Sequence, residues 1–200
     1  VSDANSNGVV LGLSGGIDSA VTLSLSVAAL GSDGVTGLIM PYKHTESVDL
    51  AKHHAEQLNV NTETVSIKQI VESFKSSSSL FAEKLSEGNL HSRIRMSILY
   101  GAGFSSNRLV IGTSNKSELL TGYWTKWGDG GTDFLPIGDL YKSQVYSLGE
   151  ELGVPSGILS RKPTAELWEG QTDEEEFGFT YLELDQVLFN LERFDNVSQI

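Results

Sequence analysis

Six residues near the N-terminus, Ser14-Gly15-Gly16-Ile17-Asp18-Ser19, have the types and order to hold a phosphate. Two adjacent glycines allow unusual backbone angles and close approach of a ligand. A helix starting here leaves its first N–H groups unpaired and pointing out of its end, which makes an anion site. The Ser14 and Ser19 hydroxyls add two donors. Asp18 is the odd member, because a carboxylate repels phosphate. It makes sense if it holds Mg2+ that bridges to the phosphates. Known loop patterns fit unevenly. The Walker loop requires Gly-Lys-Ser/Thr, where this chain has Ile17-Asp18. The Rossmann fingerprint requires a glycine spacing that Gly12, Gly15 and Gly16 do not supply. The nucleophile elbow Gly-x-Ser-x-Gly does match, as Gly12-Leu13-Ser14-Gly15-Gly16. A hydrolase of that type has several strands before its serine and a histidine late in the chain. Here one strand precedes the serine, and the last histidine is His91. On these six residues alone, a tight strand–helix turn using glycine only for packing stays open.

A second group lies past mid-chain. Gly128-Asp129-Gly130-Gly131 cannot be helix or central strand, so it is a loop. It carries Lys126, Asp129 and Asp133 beside Trp124 and Trp127. Aromatic and charged groups on a loop suit a dinucleotide, with a ring to stack and phosphates to hold. An ordinary solvated loop is the plain alternative. Glu118 lies five residues past Thr113 and could share Mg2+ with Asp18, or simply be an exposed helix glutamate. Arg93 and Arg95 could clamp a phosphate, or be surface arginines.

These groups need elements to position them. Val9 to Leu13 is a continuous apolar run, as in a strand buried on both faces of a parallel sheet. Ile17 to Leu30 is apolar or small nearly all round and reads as a buried helix closed by Gly31. Val35 to Met40 is a second strand, and Thr45 or Ser47 caps a helix running to about Leu58. Thr64-Val65-Ser66-Ile67 reads as a third strand, and Ser76 to Ser79 as a loop or helix junction. Leu90, Ile94, Ile98 and Ala102 recur at helical spacing. Leu109 to Gly112 is a fourth strand, ending in Thr113-Ser114-Asn115. Val145, Leu148 and Leu152 mark a helix that stops at Gly153. Alternating strand and helix predicts an α/β fold, a doubly wound and mostly parallel sheet flanked by helices. Ligands of such sheets sit beyond the strands' carboxyl ends, where both Ser14-Gly15-Gly16 and Thr113-Ser114-Asn115 fall. The acidic stretch Glu166 to Glu176, with Trp168, Gly170 and Gln171, reads either as a loop that orders over bound nucleotide or as a solvated linker.

Composition narrows the partners. Two hundred residues, 39% hydrophobic, are enough for one sizeable core. The formal charge of −12 disfavours nucleic acid as a substrate, since phosphate backbones are bound by cations. There are no cysteines, so disulfides, zinc-thiolate sites and a cysteine nucleophile are excluded. No apolar run is long enough to span a membrane and no signal peptide is visible, so a cytoplasmic protein is the economical reading.

The loop Ser14 to Ser19 resembles the signature of the N-type ATP pyrophosphatases, whose sheet is of the adenine nucleotide alpha-hydrolase-like kind. These enzymes cleave ATP between its α and β phosphates and adenylate an acceptor. The later succession Ile111-Gly112-Thr113-Ser114-Asn115-Lys116-Ser117-Glu118, Thr121 to Asp133, Leu140-Tyr141-Lys142 and Lys162-Pro163-Thr164-Ala165-Glu166-Leu167 resembles NAD synthetase, over about Val9 to Asn190. That resemblance implies amidation of deamido-NAD by ammonia, driven by ATP through an adenylated carboxylate, with Mg2+ as cofactor and no nucleic-acid or membrane partner. It puts the ATP contacts on Gly12, Leu13, Ser14, Gly15, Gly16, Ile17, Asp18, Ser19, Thr113, Lys142 and Thr164. The Mg2+ ligands fall on Asp18 and Glu118, and the deamido-NAD contacts on Arg93, Lys126 and Asp133. Asp18, Lys126 and Lys142 carry the catalytic roles. With no cysteine and no room for an amidohydrolase domain, free ammonia is the expected donor.

Three departures accompany the resemblance. Ile39 stands where bacterial ammonia-dependent members have an adenine-binding arginine. The family's C-terminal His-Lys pair and the N-terminal helix that helps form its homodimer have no counterpart here. The chain therefore reads as one domain over 1–200 without those two parts. Another ATP pyrophosphatase with a different acceptor, and a non-catalytic nucleotide-binding protein, are the competing readings.

Overall fold

The computed structural model describes residues 1–164 and 172–193. The apolar run at the start forms β1 (Val9–Gly12). Val9 and Leu11 enter one core, with Leu23, Ile39, Val48 and Ala55. Val10, between them, enters another, with Leu38, Ile67, Leu90 and Ile94. Alternate side chains of an inner strand point to opposite faces, so a strand apolar at every position requires helices on both sides.

The chain supplies them in order. After β1 come α1 (Ile17–Leu30), a 3-10 turn (Ser32–Gly34), β2 (Val35–Ile39), α2 (Glu46–Gln57) and β3 (Asn61–Thr64). Then follow α3 (Lys68–Ser77), a second 3-10 turn (Ser79–Phe81), α4 (Lys84–Ser106) and β4 (Leu109–Val110). The remaining described helices are α5 (Lys116–Thr121), α6 (Lys142–Glu151), α7 (Ser156–Leu159), α8 (Asp173–Phe177) and α9 (Tyr181–Arg193). The described strands form one sheet in the order β3-β2-β1-β4. All three pairings are parallel, with Val9 opposite Val35 and Leu109, and Thr36 opposite Asn61. Helices α1 and α2 share the first core, and α3 and α4 the second. The winding reverses between β1 and β4, which leaves a crevice at their carboxyl ends. Helix α1 is buried nearly all round because its outer face, Ile17, Ala20 and Val21, is covered by Val145 of α6 and Ile158 of α7.

Two boundaries differ from the sequence reading. The third strand is Asn61–Thr64 and not Thr64–Ile67. As an edge strand it needs no apolar alternation, and its four residues are exposed. The apolar residues beyond it serve the crossover: Val65 N–H donates to Ile39 and Ile67 N–H to Pro41. The fourth strand keeps only two ladder residues; Ile111 beyond them still donates its N–H to the Val10 carbonyl and bridges Phe134 on its other side. The end of the acidic stretch is helix α8, not loop, with Asp173 buried. Its earlier part, Glu166 to Gln171 with Trp168 and Gly170, lies outside the described residues, as does Asn196 to Gln199.

Candidate active site

The loop after β1 is held from three sides. Leu13 N–H donates to the Leu38 carbonyl at 2.8 Å. The Ser19 hydroxyl donates back to the Gly16 carbonyl at 2.9 Å and accepts from Ser14 N–H at 3.3 Å. Ser14 Oγ accepts from Gly16 N–H at 3.2 Å. Gly15 has φ +82°, and a Cβ there would lie 2.1 Å from the Ser47 carbonyl oxygen. Only glycine satisfies both demands. No side chain caps the start of α1, so its first N–H groups face the crevice as an anion cradle.

Asp18 projects from the first turn of α1. Its Oδ1 accepts from Asn115 Nδ2 at 2.9 Å and its Oδ2 from Lys142 Nζ at 2.5 Å. Lys142 also meets Glu118 Oε1 at 3.4 Å. Asn115 caps α5: its side chain accepts from Glu118 N–H, and Glu118 Oε2 accepts from Asn115 N–H. One capped helix start thus fixes Glu118 and, through Asn115, the rotamer of Asp18. Lys142, the first residue of α6, is only 2% exposed, and its ammonium lies 5.0 Å from the centre of the Tyr181 ring. Tyr181 O–H in turn donates to Asp173 at 3.0 Å.

The electrostatics follow from burial and charge. Burial alone would push the Lys142 ammonium down, but Asp18 and Glu118 outweigh it and hold its pKa above the usual value. Burial pushes the Glu118 carboxyl up to about 8; Lys142 opposes the rise and Asp18 adds to it. The two shifts are unequal claims on one cation. Asp18 at 2.5 Å takes most of the compensation, and Glu118 at 3.4 Å is left short of it. Two carboxylates converging on one cation also fit a divalent ion. Among the described residues no group of three or more acidic or histidine side chains could hold a metal. A two-carboxylate site suits Mg2+, which keeps waters and takes phosphate oxygens for its other positions.

The second predicted group assembles beside α4. Arg93 Nε donates to the Lys126 carbonyl at 3.3 Å. Asn89 accepts from the Thr125 hydroxyl, and Asp129 from Thr125 N–H. Lys126 lies over the Trp127 ring at 5.6 Å. Trp127 adopts φ +59° and is 67% exposed, a left-handed conformation uncommon for a bulky residue. Asp133 is tied to the sheet instead: its carboxylate accepts from Val110 N–H at 2.8 Å and from Tyr100 O–H at 2.9 Å. Thr113 and Thr164 are half-buried, Thr164 bordering the undescribed 165–171.

Sequence reasoning missed Asn115, Arg161, Asp173, Tyr181 and Asp185. Asn115 had a signal, the spacing of a cap residue three before a glutamate. Arg161, which donates to the Gly15 carbonyl at 3.3 Å, had none.

Comparison with known proteins bears on this geometry. A model of the family described as NAD synthase matches residues 1–200. The NH(3)-dependent NAD(+) synthetase of Thermococcus kodakarensis is 50% identical over 189 residues, 94% of this chain and 74% of that protein. The structure of NMN synthetase from Francisella tularensis superposes with a TM-score of 0.89 at 43% identity, covering 94% of this chain and 79% of that one. The NH3-dependent NAD synthetase from Campylobacter jejuni gives 0.82 at 38% identity, covering 96% and 77%.

Proposed function

The chain belongs to the NAD synthase family, and from that premise we propose that it amidates deamido-NAD with ammonia, at the expense of ATP. The observation that carries this is the convergence of Asp18, Glu118 and Lys142 where β1 and β4 end. The pyridine carboxylate attacks the α-phosphorus of ATP and pyrophosphate leaves. Ammonia then attacks the adenylated carbonyl, giving the amide and AMP. Every step moves negative charge onto phosphate oxygens, so positioning and fixed positive charge are what the protein must supply.

The loop Gly12 to Ser19 receives the phosphates on the uncapped start of α1, with Ser14 and Ser19 as hydroxyl donors. Among the described residues Lys142 pairs with the carboxylates of Asp18 and Glu118; phosphates in the crevice offer its ammonium a further counter-charge. Thr113 and Thr164 complete the ATP contacts. Asp18 and Glu118 would hold Mg2+, which neutralises pyrophosphate as it leaves. Arg93, Lys126 and Asp133 bind deamido-NAD, with Lys126 stabilising charge at the reacting carboxylate. Ammonia is the nitrogen source, in keeping with relatives described as NH3-dependent.

We propose a homodimer for the whole protein; Leu80, Leu85 and Phe104, 77%, 63% and 93% exposed, are apolar surface near and on α4 that a second copy would cover. A cytoplasmic location suits these substrates, and among the described residues no helix is long and apolar enough to cross a membrane.

Incubation with MgATP, ammonium and deamido-NAD is expected to release AMP and NAD in equal amounts. Absence of AMP would sink the assignment. The likeness to an NMN synthetase adds a second acceptor to the same assay. Nicotinate mononucleotide in place of deamido-NAD carries the same carboxylate without the second nucleotide. A higher kcat/KM for the mononucleotide would transfer the assignment to that substrate.

A further inference from the structure

We propose that Asp185, on α9, is the positioning residue that sets Lys142 and Glu118 against each other; this rests on the catalytic reading of Lys142 given above. Asp185 is 5% exposed, yet among the described residues its bonds are to neutral donors, the Ser117 hydroxyl and the Ser143 N–H. Its Oδ2 accepts from Ser143 N–H at 2.8 Å, in the first turn of α6. Its Oδ1 accepts from the Ser117 hydroxyl at 2.5 Å. Ser117 Oγ in turn accepts from Lys142 N–H at 3.0 Å. One carboxylate therefore takes the Ser143 N–H of α6 directly, reaches the Lys142 N–H through Ser117 Oγ, and grips the start of α5. A buried carboxylate is costly unless hydrogen-bonded, and a helix N-terminus is where its charge is best placed.

The residues on either side of these bonds are the ones that matter for charge in the crevice. Ser117 precedes Glu118, and Ser143 follows Lys142. The Ser117 hydroxyl and the Ser143 N–H are fixed to one carboxylate, so the separation between the starts of α5 and α6, and with it that between the Glu118 and Lys142 side chains, is set by Asp185. The same stripe of α9 reinforces the grip. Tyr181, one turn earlier, presents its ring to the Lys142 ammonium. Glu192, two turns later, pairs with Lys116 Nζ at 2.7 Å and accepts from Tyr141 O–H. Helix α9 thus touches both helix starts.

The test compares Asp185→Asn with Leu184→Ala, which removes buried packing from the same helix (Leu184 is 6% exposed) and leaves every bond above in place. Both are assayed well below their unfolding midpoints. Asp185→Asn is expected to lower kcat at least tenfold with less than threefold change in KM for deamido-NAD. Leu184→Ala is expected to stay within about twofold of wild type. Combined with Ser117→Ala, Asp185→Asn should add little further loss, because the two remove one unit. An unchanged kcat in Asp185→Asn, or an equal loss in Leu184→Ala, would overturn the proposal. A wild-type protein that makes no AMP would instead overturn the catalytic reading on which it rests, and the two failures are distinct.

Discussion

At the scale of single residues, Lys142 and Asp18 depend on each other. A buried pair of this kind adds little net stability, yet removing one partner leaves the other charge uncompensated. Asp18→Asn is expected to abolish turnover, with AMP formation down more than 100-fold at a temperature where the variant is folded. A magnesium titration of the residual activity should show the requirement moved to higher concentration. Wild-type rates in Asp18→Asn would refute the metal role. This residue was legible in the sequence because its charge is wrong for a bare phosphate site. Lys142 could be named only through the family resemblance. Nothing in its neighbourhood marks it as buried, since burial comes from α9 and from a carboxylate 124 residues away. Asp133 was likewise named as a deamido-NAD contact through the resemblance, and its carboxylate is held to the sheet by Val110 N–H and Tyr100 O–H.

At the scale of elements, the short helix α5 does more than its six residues suggest. Its cap, Asn115, is fully buried and serves the helix, Glu118 and Asp18 together. Asn115→Ala should cost about 2 kcal/mol of stability, at the upper end for a lost helix cap, because Asp18 also loses a donor. Urea unfolding checks this, and a loss below about 0.5 kcal/mol would mean that water replaces the cap. Elements that carry their own periodicity or punctuation were legible: α1 matches its expected span from Ile17 to Leu30, and α2 starts directly after Thr45, although the Thr45 hydroxyl bonds Ser47 and not a helix N–H. Those defined by tertiary context were not. Edge strand β3 is polar and sits beside a more apolar decoy, and α9 follows an acidic run that read equally as a nucleotide-ordering loop or a linker.

At the scale of the whole molecule, pH acts through buried histidines. Burial, with Arg95 adding to it, pushes His91 down to about 4, and burial also lowers His54. A depressed histidine stays neutral in the folded chain while the unfolded chain takes up a proton below about pH 6.5. Its contribution is therefore intact above pH 6.5 and is lost as pH falls toward 4. Glu118 runs the opposite way: being raised, it favours the fold at low pH and loses that contribution as pH climbs through 8. Comparing wild type with His91→Gln separates the two. The stability difference between them should shift against wild type by about 2 kcal/mol from pH 7 to pH 5, read by urea unfolding. A constant difference would show that His91 does not titrate as its burial implies. The same whole-molecule view reaches back to how the chain is made. Asp18 meets Asn115 across 97 residues and Lys142 across 124. At ribosomal speeds of roughly 5–20 residues per second, Asp18 leaves the tunnel some seconds to tens of seconds before the lysine that neutralises it. The β1–β2 pairing can form in that interval, but the Asp18–Lys142 pair cannot. An arrested nascent chain ending before Lys142 should therefore show a protected sheet and an unprotected α1 N-terminus, and no fragment lacking α6 can report on nucleotide binding.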